Sequence, residues 1–194
     1  MQRVCVFMGS NPGERGEYTR LARDMGEELA RRRLGLVYGG ASVGLMAEVA
    51  DALLEAGGEV LGVIPQQLVD KEIAHTGLTE QRIVGSMHER KLLMAEKSDA
   101  FVALPGGFGT MDEIFEMLTW SQLGFHGKPC GVVNAMGYYD MLLAQLDHMV
   151  AEGFLKAPFR DMLLRAKTPA DLLDAFEGYE PPRTGKWIQR PNGL

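Results

Sequence analysis

The residues best suited to chemistry lie in one glycine-rich stretch, residues 104–113, which reads Leu-Pro-Gly-Gly-Phe-Gly-Thr-Met-Asp-Glu. An apolar run typical of a buried strand precedes it, and the residues that follow have helical spacing. Glycines allow close approach of the backbone to a ligand, and the N–H groups that open a helix attract phosphate. Glu113 falls at the end of the first helical turn. The stretch therefore predicts a phosphate-bearing substrate held beside a carboxylate.

Thr110 and Glu113 also fit a purely structural role. A threonine followed three residues later by a glutamate at a helix start forms a capping box. In that arrangement Thr110 caps the helix and Glu113 accepts a hydrogen bond from the backbone N–H of Thr110. On these residues alone, the structural and the chemical interpretations are equally supported.

A second stretch, residues 85–91 (Gly-Ser-Met-His-Glu-Arg-Lys), supplies cations for such a substrate. It opens the helix before the strand at 99–104, so its first turn can lie at the same edge of the sheet. Arg90 can bind a phosphate or ribose with two hydrogen bonds, and Lys91 adds a point charge. The alternative is a charged helix start with both cations in water. Because the helix dipole disfavours cations at an N-terminus, the pair indicates compensation by an anion.

Strand and helix patterns alternate along the chain. Strands are predicted at 3–8, 34–38, 59–64, 82–84, 99–104, 128–133 and 162–166, and helices at 18–33, 45–56, 86–97, 110–123, 138–152 and 168–176. Residues 66–80 lose this periodicity and are predicted to form a long loop. The alternation predicts an α/β fold: a Rossmann-like, doubly wound parallel sheet flanked by helices. We expect a single domain over residues 1–180 and an irregular tail at 181–194.

Three glycine turns, at residues 9–13, 39–44 and 106–109, follow predicted strands. The carboxyl ends of parallel strands share one edge, where ligands bind near a topological switch point. The first turn lacks the G-x-G-x-x-G spacing of dinucleotide sites, and the chain has no P-loop motif. A smaller ligand, such as a nucleoside monophosphate, is therefore favoured over NAD.

Composition and charge argue against several other classes. The net charge of −6 and the pI near 5.3 argue against nucleic-acid binding, and the basic run at 31–33 is expected to be a solvated helix end. No apolar run approaches the roughly 20 residues of a membrane span, and the N-terminus has no signal-peptide pattern. We expect a cytoplasmic protein with no membrane partner. Cys5 and Cys130 are expected to be reduced core residues, and no metal-ligand spacing is present.

The stretches at 87–91 (Met-His-Glu-Arg-Lys) and 105–113 resemble the paired MHxRK and PGGxGTxxE signatures of the LONELY GUY (LOG) family. Its members are cytokinin riboside 5′-monophosphate phosphoribohydrolases, often labelled lysine decarboxylases. The similarity includes residues 9–10, 38–46 and 119–124 and extends to about residue 154. Asp112, where many members carry Glu, and Phe108, where Tyr or Leu is frequent, are mild departures.

The resemblance implies hydrolysis of the N-glycosidic bond of N6-substituted adenosine 5′-monophosphate to a free base and ribose 5-phosphate. By similarity, Arg90 and Glu113 are the catalytic pair. Met87, Met94 and Trp120 are candidates for the pocket of the N6 substituent. Together, the resemblance and the glycine turns predict substrate-binding positions at Gly9, Ser10, Gly40, Gly44, Glu72, Met87, Lys91, Gly106, Gly107, Phe108, Gly109, Thr110 and Thr119.

The resemblance also implies a homodimer whose sites lie close to the subunit interface. It implies no metal and no cofactor, and no lysine is singled out for pyridoxal phosphate. The competing interpretation is a non-catalytic nucleotide carrier on the same fold, similar to molybdenum-cofactor carrier proteins. A carrier needs the main-chain amides but no carboxylate at the anomeric carbon, so Arg90 and Glu113 distinguish the two functions.

Overall fold

The structure, a computed structural model, describes residues 1–71 and 73–182. These residues form one seven-stranded sheet in which every neighbouring pair is parallel, in the order β4-β3-β2-β1-β5-β6-β7. The α/β fold predicted from the sequence is confirmed. The strands are β1 (Arg3–Phe7), β2 (Gly35–Tyr38), β3 (Val60–Pro65), β4 (Glu80–Val84), β5 (Ala100–Ala103), β6 (Cys130–Val133) and β7 (Leu163–Ala166).

Helices cover both faces of this sheet. They are α1 (Gly16–Arg31), α2 (Gly44–Glu55), α3 (Gln66–Val69), α4 (Met87–Glu96), α5 (Phe108–Gln122), α6 (Asp140–Ala151), α7 (Ala157–Arg160) and α8 (Pro169–Glu177). Alternate side chains of a strand point to opposite faces. Accordingly, Val4 and Val6 of β1 pack in one core with α1, α2 and α8. Cys5 and Phe7 pack in the other core with α4, α5 and α6.

The topological switch point lies between β1 and β5. The chain crosses there because α4 carries it from β4, at one edge of the sheet, to the far side of β1. The loops after β1 and β5 therefore diverge to opposite faces and leave a crevice at the carboxyl ends of these strands. This crevice is where the fold places a ligand.

Several local predictions need correction. Residues 66–69 form the short helix α3 within the predicted loop, and α7 and a 3-10 turn at Ala135–Gly137 had no periodic signal because each spans about one turn. Helix α5 begins two residues before Thr110. The prediction for α8 is confirmed, since the Thr168 side chain caps it by accepting from the Asp171 N–H.

The basic run at 31–33 is not simply solvated. Arg32 is largely buried, and its guanidinium donates to Glu28 of α1 and to Asp174 of α8. It therefore ties the C-terminus of α1 to the last described helix. The two cysteines are free and buried, as predicted. Among the described residues, no helix is long and apolar enough to cross a membrane.

Candidate active site

The three predicted glycine turns approach one another at the switch point. The Gly9 N–H donates to the Pro105 carbonyl (3.1 Å), and the Leu45 N–H donates to the Gly9 carbonyl (3.2 Å). Glycine is required where α2 meets the first turn, because a Cβ on Gly44 would overlap the Ser10 backbone and φ there is +56°. The turns enclose a cavity of about 550 Å³, which is within the usual range for a small-molecule site.

Nine of the predicted site residues line this cavity: Gly9, Ser10, Arg90, Gly106, Gly107, Phe108, Gly109, Thr110 and Glu113. The remaining described positions, which are Gly40, Gly44, Met87, Lys91 and Thr119, do not line it. Glu72 lies outside the described residues, as does the tail from residue 183 onward. The structure thus brings together the two catalytic candidates and the glycine turns that flank them.

Arg90 and Glu113 form a buried ion pair in the cavity wall. Arg90 Nη1 lies 2.8 Å from Glu113 Oε1, and both side chains are about nine-tenths buried. Arg90 Nε also donates to the Val63 carbonyl at the end of β3 (3.1 Å). Gly39 makes room for this arrangement, because a Cβ there would overlap the guanidinium. The pair therefore depends on α4, α5, β3 and the turn after β2 together.

The environment of Glu113 shifts its proton affinity. Burial raises the pKa of Glu113, and the Arg90 guanidinium lowers it, with burial the larger effect. A carboxylate whose pKa moves toward neutrality is a better general base than an ordinary exposed glutamate. The Arg90 guanidinium favours the ionised form of this carboxylate and binds one of its oxygens, which leaves the other oxygen for a substrate or a water.

The predicted capping box at Thr110 is wrong. The N-cap of α5 is Gly107, which offers no side-chain hydrogen bond, and Glu113 pairs with Arg90 instead of capping the helix. Thr110 is the third residue of the helix and is buried against Gly106, where a Cβ would overlap its hydroxyl. The sequence pattern failed because the glycines let the helix begin two residues earlier.

The first turn of α5 is an anion site by its backbone. The N–H groups at residues 108–110 belong to the first turn, so they have no acceptor within the helix. Residues 108–110 line the cavity, so the N-terminal, positive end of the helix dipole lies at its wall. A phosphate placed here would receive main-chain hydrogen bonds without any lysine.

Lys91 has a different environment from Arg90. Its Nζ lies 3.1 Å from both Asp112 and Glu116 of α5, and its side chain is about nine-tenths buried. The sequence indicated that the cations at the start of α4 are compensated by an anion. Within the described residues, the anions observed are the protein's own carboxylates, and Lys91 joins α4 to α5 beside the Arg90–Glu113 pair.

Two of the other predicted positions have structural partners, and a third is exposed. The Gly40 carbonyl accepts from the His75 N–H, and its φ of +73° places it against β3. The Thr119 hydroxyl donates to the Phe115 carbonyl of its own helix, and Met87 is exposed at the start of α4. Trp120 of α5 is partly buried against the core, whereas Met94 lines the cavity.

Sequence reasoning missed several cavity residues. Tyr138 donates from its hydroxyl to the Gly106 carbonyl (2.7 Å) and packs edge-on against Tyr18. An apolar wall comes from Met46, Leu68 and Ile73. Met46 ends the segment 38–46 that resembles the LOG family, although it was not predicted as a site residue. Leu68, Ile73 and Tyr138 belong to no motif that we recognised in the sequence. Among the described residues, no group of three metal-ligating side chains comes together.

Comparison with known proteins identifies the family. The family model described as "possible lysine decarboxylase" matches residues 46–176. A rice (Oryza sativa subsp. japonica) relative, named probable cytokinin riboside 5′-monophosphate phosphoribohydrolase LOGL9, is 51% identical over 180 residues, which are 93% of this chain and 79% of the relative. A relative from Arabidopsis thaliana, named cytokinin riboside 5′-monophosphate phosphoribohydrolase LOG5, is 48% identical over 184 residues, which are 95% of this chain and 81% of the relative.

Solved structures share the fold at lower identity. A molybdenum cofactor binding protein from Rippkaea orientalis superposes with a TM-score of 0.70 at 19% identity, covering 91% of this chain and 96% of the other. A Moco carrier protein from Chlamydomonas reinhardtii gives 0.68 at 21%, covering 91% and 95%. At these identities the likeness establishes the fold alone. Because the family model matches more than half of the chain and the relatives are about 50% identical over most of it, the chain belongs to the LOG family, whose model is described as "possible lysine decarboxylase".

Proposed function

We propose that this protein hydrolyses the N-glycosidic bond of adenosine 5′-monophosphates, including those with an N6 substituent, and that cytokinin riboside 5′-monophosphates are substrates. The products are the free base and ribose 5-phosphate. The observation that carries the proposal is the buried Arg90–Glu113 pair, which lies in the wall of the same cavity as the start of α5. The names of relatives at about half identity support the same activity.

The substrate fits the chemistry of the cavity. The phosphate binds the N–H groups at residues 108–110, with the Thr110 hydroxyl beside them. The base packs against the apolar wall, which has the composition usual for small-molecule pockets. In this arrangement the ribose lies between the two, next to Glu113.

Departure of the base leaves positive charge on C1′ and the ring oxygen. The Glu113 carboxylate stabilises this charge and accepts a proton from the water whose oxygen bonds to C1′. The electron pair of the broken C–N bond leaves with the base, whose nitrogen takes up a proton from solvent. Glu113 then releases to solvent the proton that it accepted, so that one water is consumed. Arg90 donates a hydrogen bond to Glu113 directly, so its role is to favour the ionised form of that carboxylate and to orient it.

Free base released from AMP and from isopentenyladenosine monophosphate tests this activity. Glu113→Gln should lower kcat by about 10²-fold or more, the scale of general-base catalysis, while AMP still binds. Glu116→Gln is the matched control, because Glu116 lies one turn later on α5 and pairs with Lys91 outside the cavity lining. Full turnover by Glu113→Gln would remove the carboxylate from the mechanism.

The alternative, a nucleotide or molybdenum-cofactor carrier, has less support. Its basis is the shared fold at 19–21% identity, and a carrier has no use for a buried carboxylate in the cavity wall. If wild-type protein binds AMP tightly and releases no base from either nucleotide, the carrier interpretation replaces the hydrolase.

We also propose a homodimer with the cavity close to the subunit interface. Phe108, at the cavity, is 96% exposed, and Met87 and Leu92 of α4 are about half exposed. Exposed apolar side chains grouped near a site are typical of an interaction surface. Light scattering should give twice the chain mass of 21.3 kDa. A monomer at micromolar concentration would exclude this assembly.

A further inference from the structure

One wall of the cavity comes from a segment in which the sequence predicted a single site residue, Glu72, which lies outside the described residues. Residues 66–71 and 73–79, here called the wall segment, connect β3 to β4 and contribute Leu68 and Ile73 to the cavity. Apart from the short helix α3, the wall segment has no regular structure that would hold these two side chains in place. Its position must therefore come from contacts with the rest of the fold.

Backbone hydrogen bonds join the wall segment to the turn after β2. The Ser42 N–H donates to the Ile73 carbonyl (2.9 Å), and the His75 N–H donates to the Gly40 carbonyl (2.9 Å). Ala41 and Ala74 form an antiparallel bridge between these two bonds. The second glycine turn thus holds the wall segment in place by backbone hydrogen bonds. Gly40 contributes to the cavity through these bonds, although it does not line the cavity itself.

One side chain of the wall segment is fixed to a helix. His75 Nε2 lies 2.9 Å from Asp51 Oδ1 of α2, and the imidazole is nearly nine-tenths buried. His75 Nδ1 accepts from the Gly77 N–H (3.0 Å). Since Nδ1 is an acceptor, the proton of the neutral ring is on Nε2, which donates it to Asp51. The ring therefore joins both ends of a tight turn to α2.

We infer that His75 is a positioning residue for substrate binding, acting through its hydrogen bond to Asp51. This bond holds the wall segment against the second glycine turn, so that Leu68 and Ile73 form the apolar wall for the base. The inference rests on the proposed function for the identity of the ligand. It adds to that function a contact remote from the catalytic pair that sets affinity and leaves the chemical step unchanged.

Removing the acceptor at Asp51 tests the inference with the chain otherwise intact. Asp51 is about half exposed, so Asp51→Ala is compatible with folding. We expect KM for AMP to rise about tenfold, while kcat stays within about twofold of the wild-type value. This pattern is typical of a lost contact that stabilises the bound ground state and the transition state equally. Asp51→Asn retains an acceptor oxygen and should restore most of the wild-type KM.

Glu55→Ala is the matched control. Glu55 is another α2 carboxylate with an ion-pair partner, Arg23, and among the described residues no hydrogen bond or ion pair joins it to the wall segment. Its loss should leave KM unchanged. If Asp51→Ala and Glu55→Ala have the same KM, His75 has no positioning role. If Asp51→Asn is as impaired as Asp51→Ala, the hydrogen-bond mechanism is wrong.

Two further measurements do not depend on turnover. Amide hydrogen exchange in residues 73–79 should be about tenfold faster in Asp51→Ala than in wild type, because local opening becomes easier. The dissociation constant of AMP, measured by calorimetry, should rise as KM does. If the protein binds AMP without hydrolysing it, the proposed hydrolase function is wrong. Hydrogen exchange and the dissociation constant would still decide whether His75 positions the wall segment.

Discussion

Replacing Arg90 with methionine should destabilise the protein in a way that depends on pH. The variant keeps a long side chain but removes the cation that lies 2.8 Å from the Glu113 carboxylate. At an effective dielectric constant of about 20, that separation corresponds to a gross attraction of about 6 kcal/mol. Removing one partner of a buried pair typically costs about 3–5 kcal/mol, because the remaining charge is uncompensated.

Protonation of Glu113 sets an upper limit on this loss of stability, and the limit depends on pH. Without Arg90 the folded-state pKa of Glu113, already raised by burial, rises further. Protonating a glutamate with an unfolded pKa of 4.5 costs about 1.4 kcal/mol per pH unit above that value. The charge-dependent part of the loss is therefore at most about 3.4 kcal/mol at pH 7 and about 0.7 kcal/mol at pH 5.

The sign follows from linkage. An acid whose folded pKa is raised binds more protons folded than unfolded, so stability falls as pH rises from the unfolded pKa through the folded one. In Arg90→Met that interval extends to higher pH than in wild type. We expect the free-energy difference between variant and wild type to grow between pH 5 and pH 7, as measured by urea unfolding followed by circular dichroism.

Two controls isolate the buried charge. The double variant Arg90→Met/Glu113→Gln has no charge to protonate and should lose the added pH dependence. Arg82→Met removes an exposed pair with Glu80, whose loss should cost about 0–1 kcal/mol at both pH values. An Arg90→Met loss that is equal at pH 5 and pH 7 would refute the buried-pair reasoning.

Two further predictions concern activity. The acid limb of the pH profile of kcat/KM for AMP should have its midpoint above pH 4.5, because Glu113 must be ionised and burial raises its pKa. A midpoint at or below pH 4.5 would contradict the role of Glu113 as the general base. Gly39→Ala should lower kcat by about 10²-fold, since its Cβ would displace the Arg90 guanidinium and small misplacements are costly. Gly16→Ala, where a Cβ meets nothing within 4 Å, is its control and should have wild-type kcat.

Much of the fold followed from local patterns. Buried apolar runs alternating with helical periodicity specified the parallel sheet, and the glycine turns after β1, β2 and β5 identified its ligand-binding edge. Short elements such as α3 and α7 gave no signal, because a single helical turn contains too few residues to show a period. Helix starts were also misplaced where glycine allows more than one, as at Gly107.

The sequence alone determined which chemical groups are available: a carboxylate at 113, a guanidinium at 90 and the main-chain amides of the glycine turn at 106–109. It could not determine where each side chain points, since that depends on residues distant in the chain. Arg90 is directed toward the cavity wall by Val63, by Glu113 and by the space at Gly39. Lys91, its neighbour, pairs instead with Asp112 and Glu116. Tertiary structure separates these adjacent cations because successive helix positions face different partners.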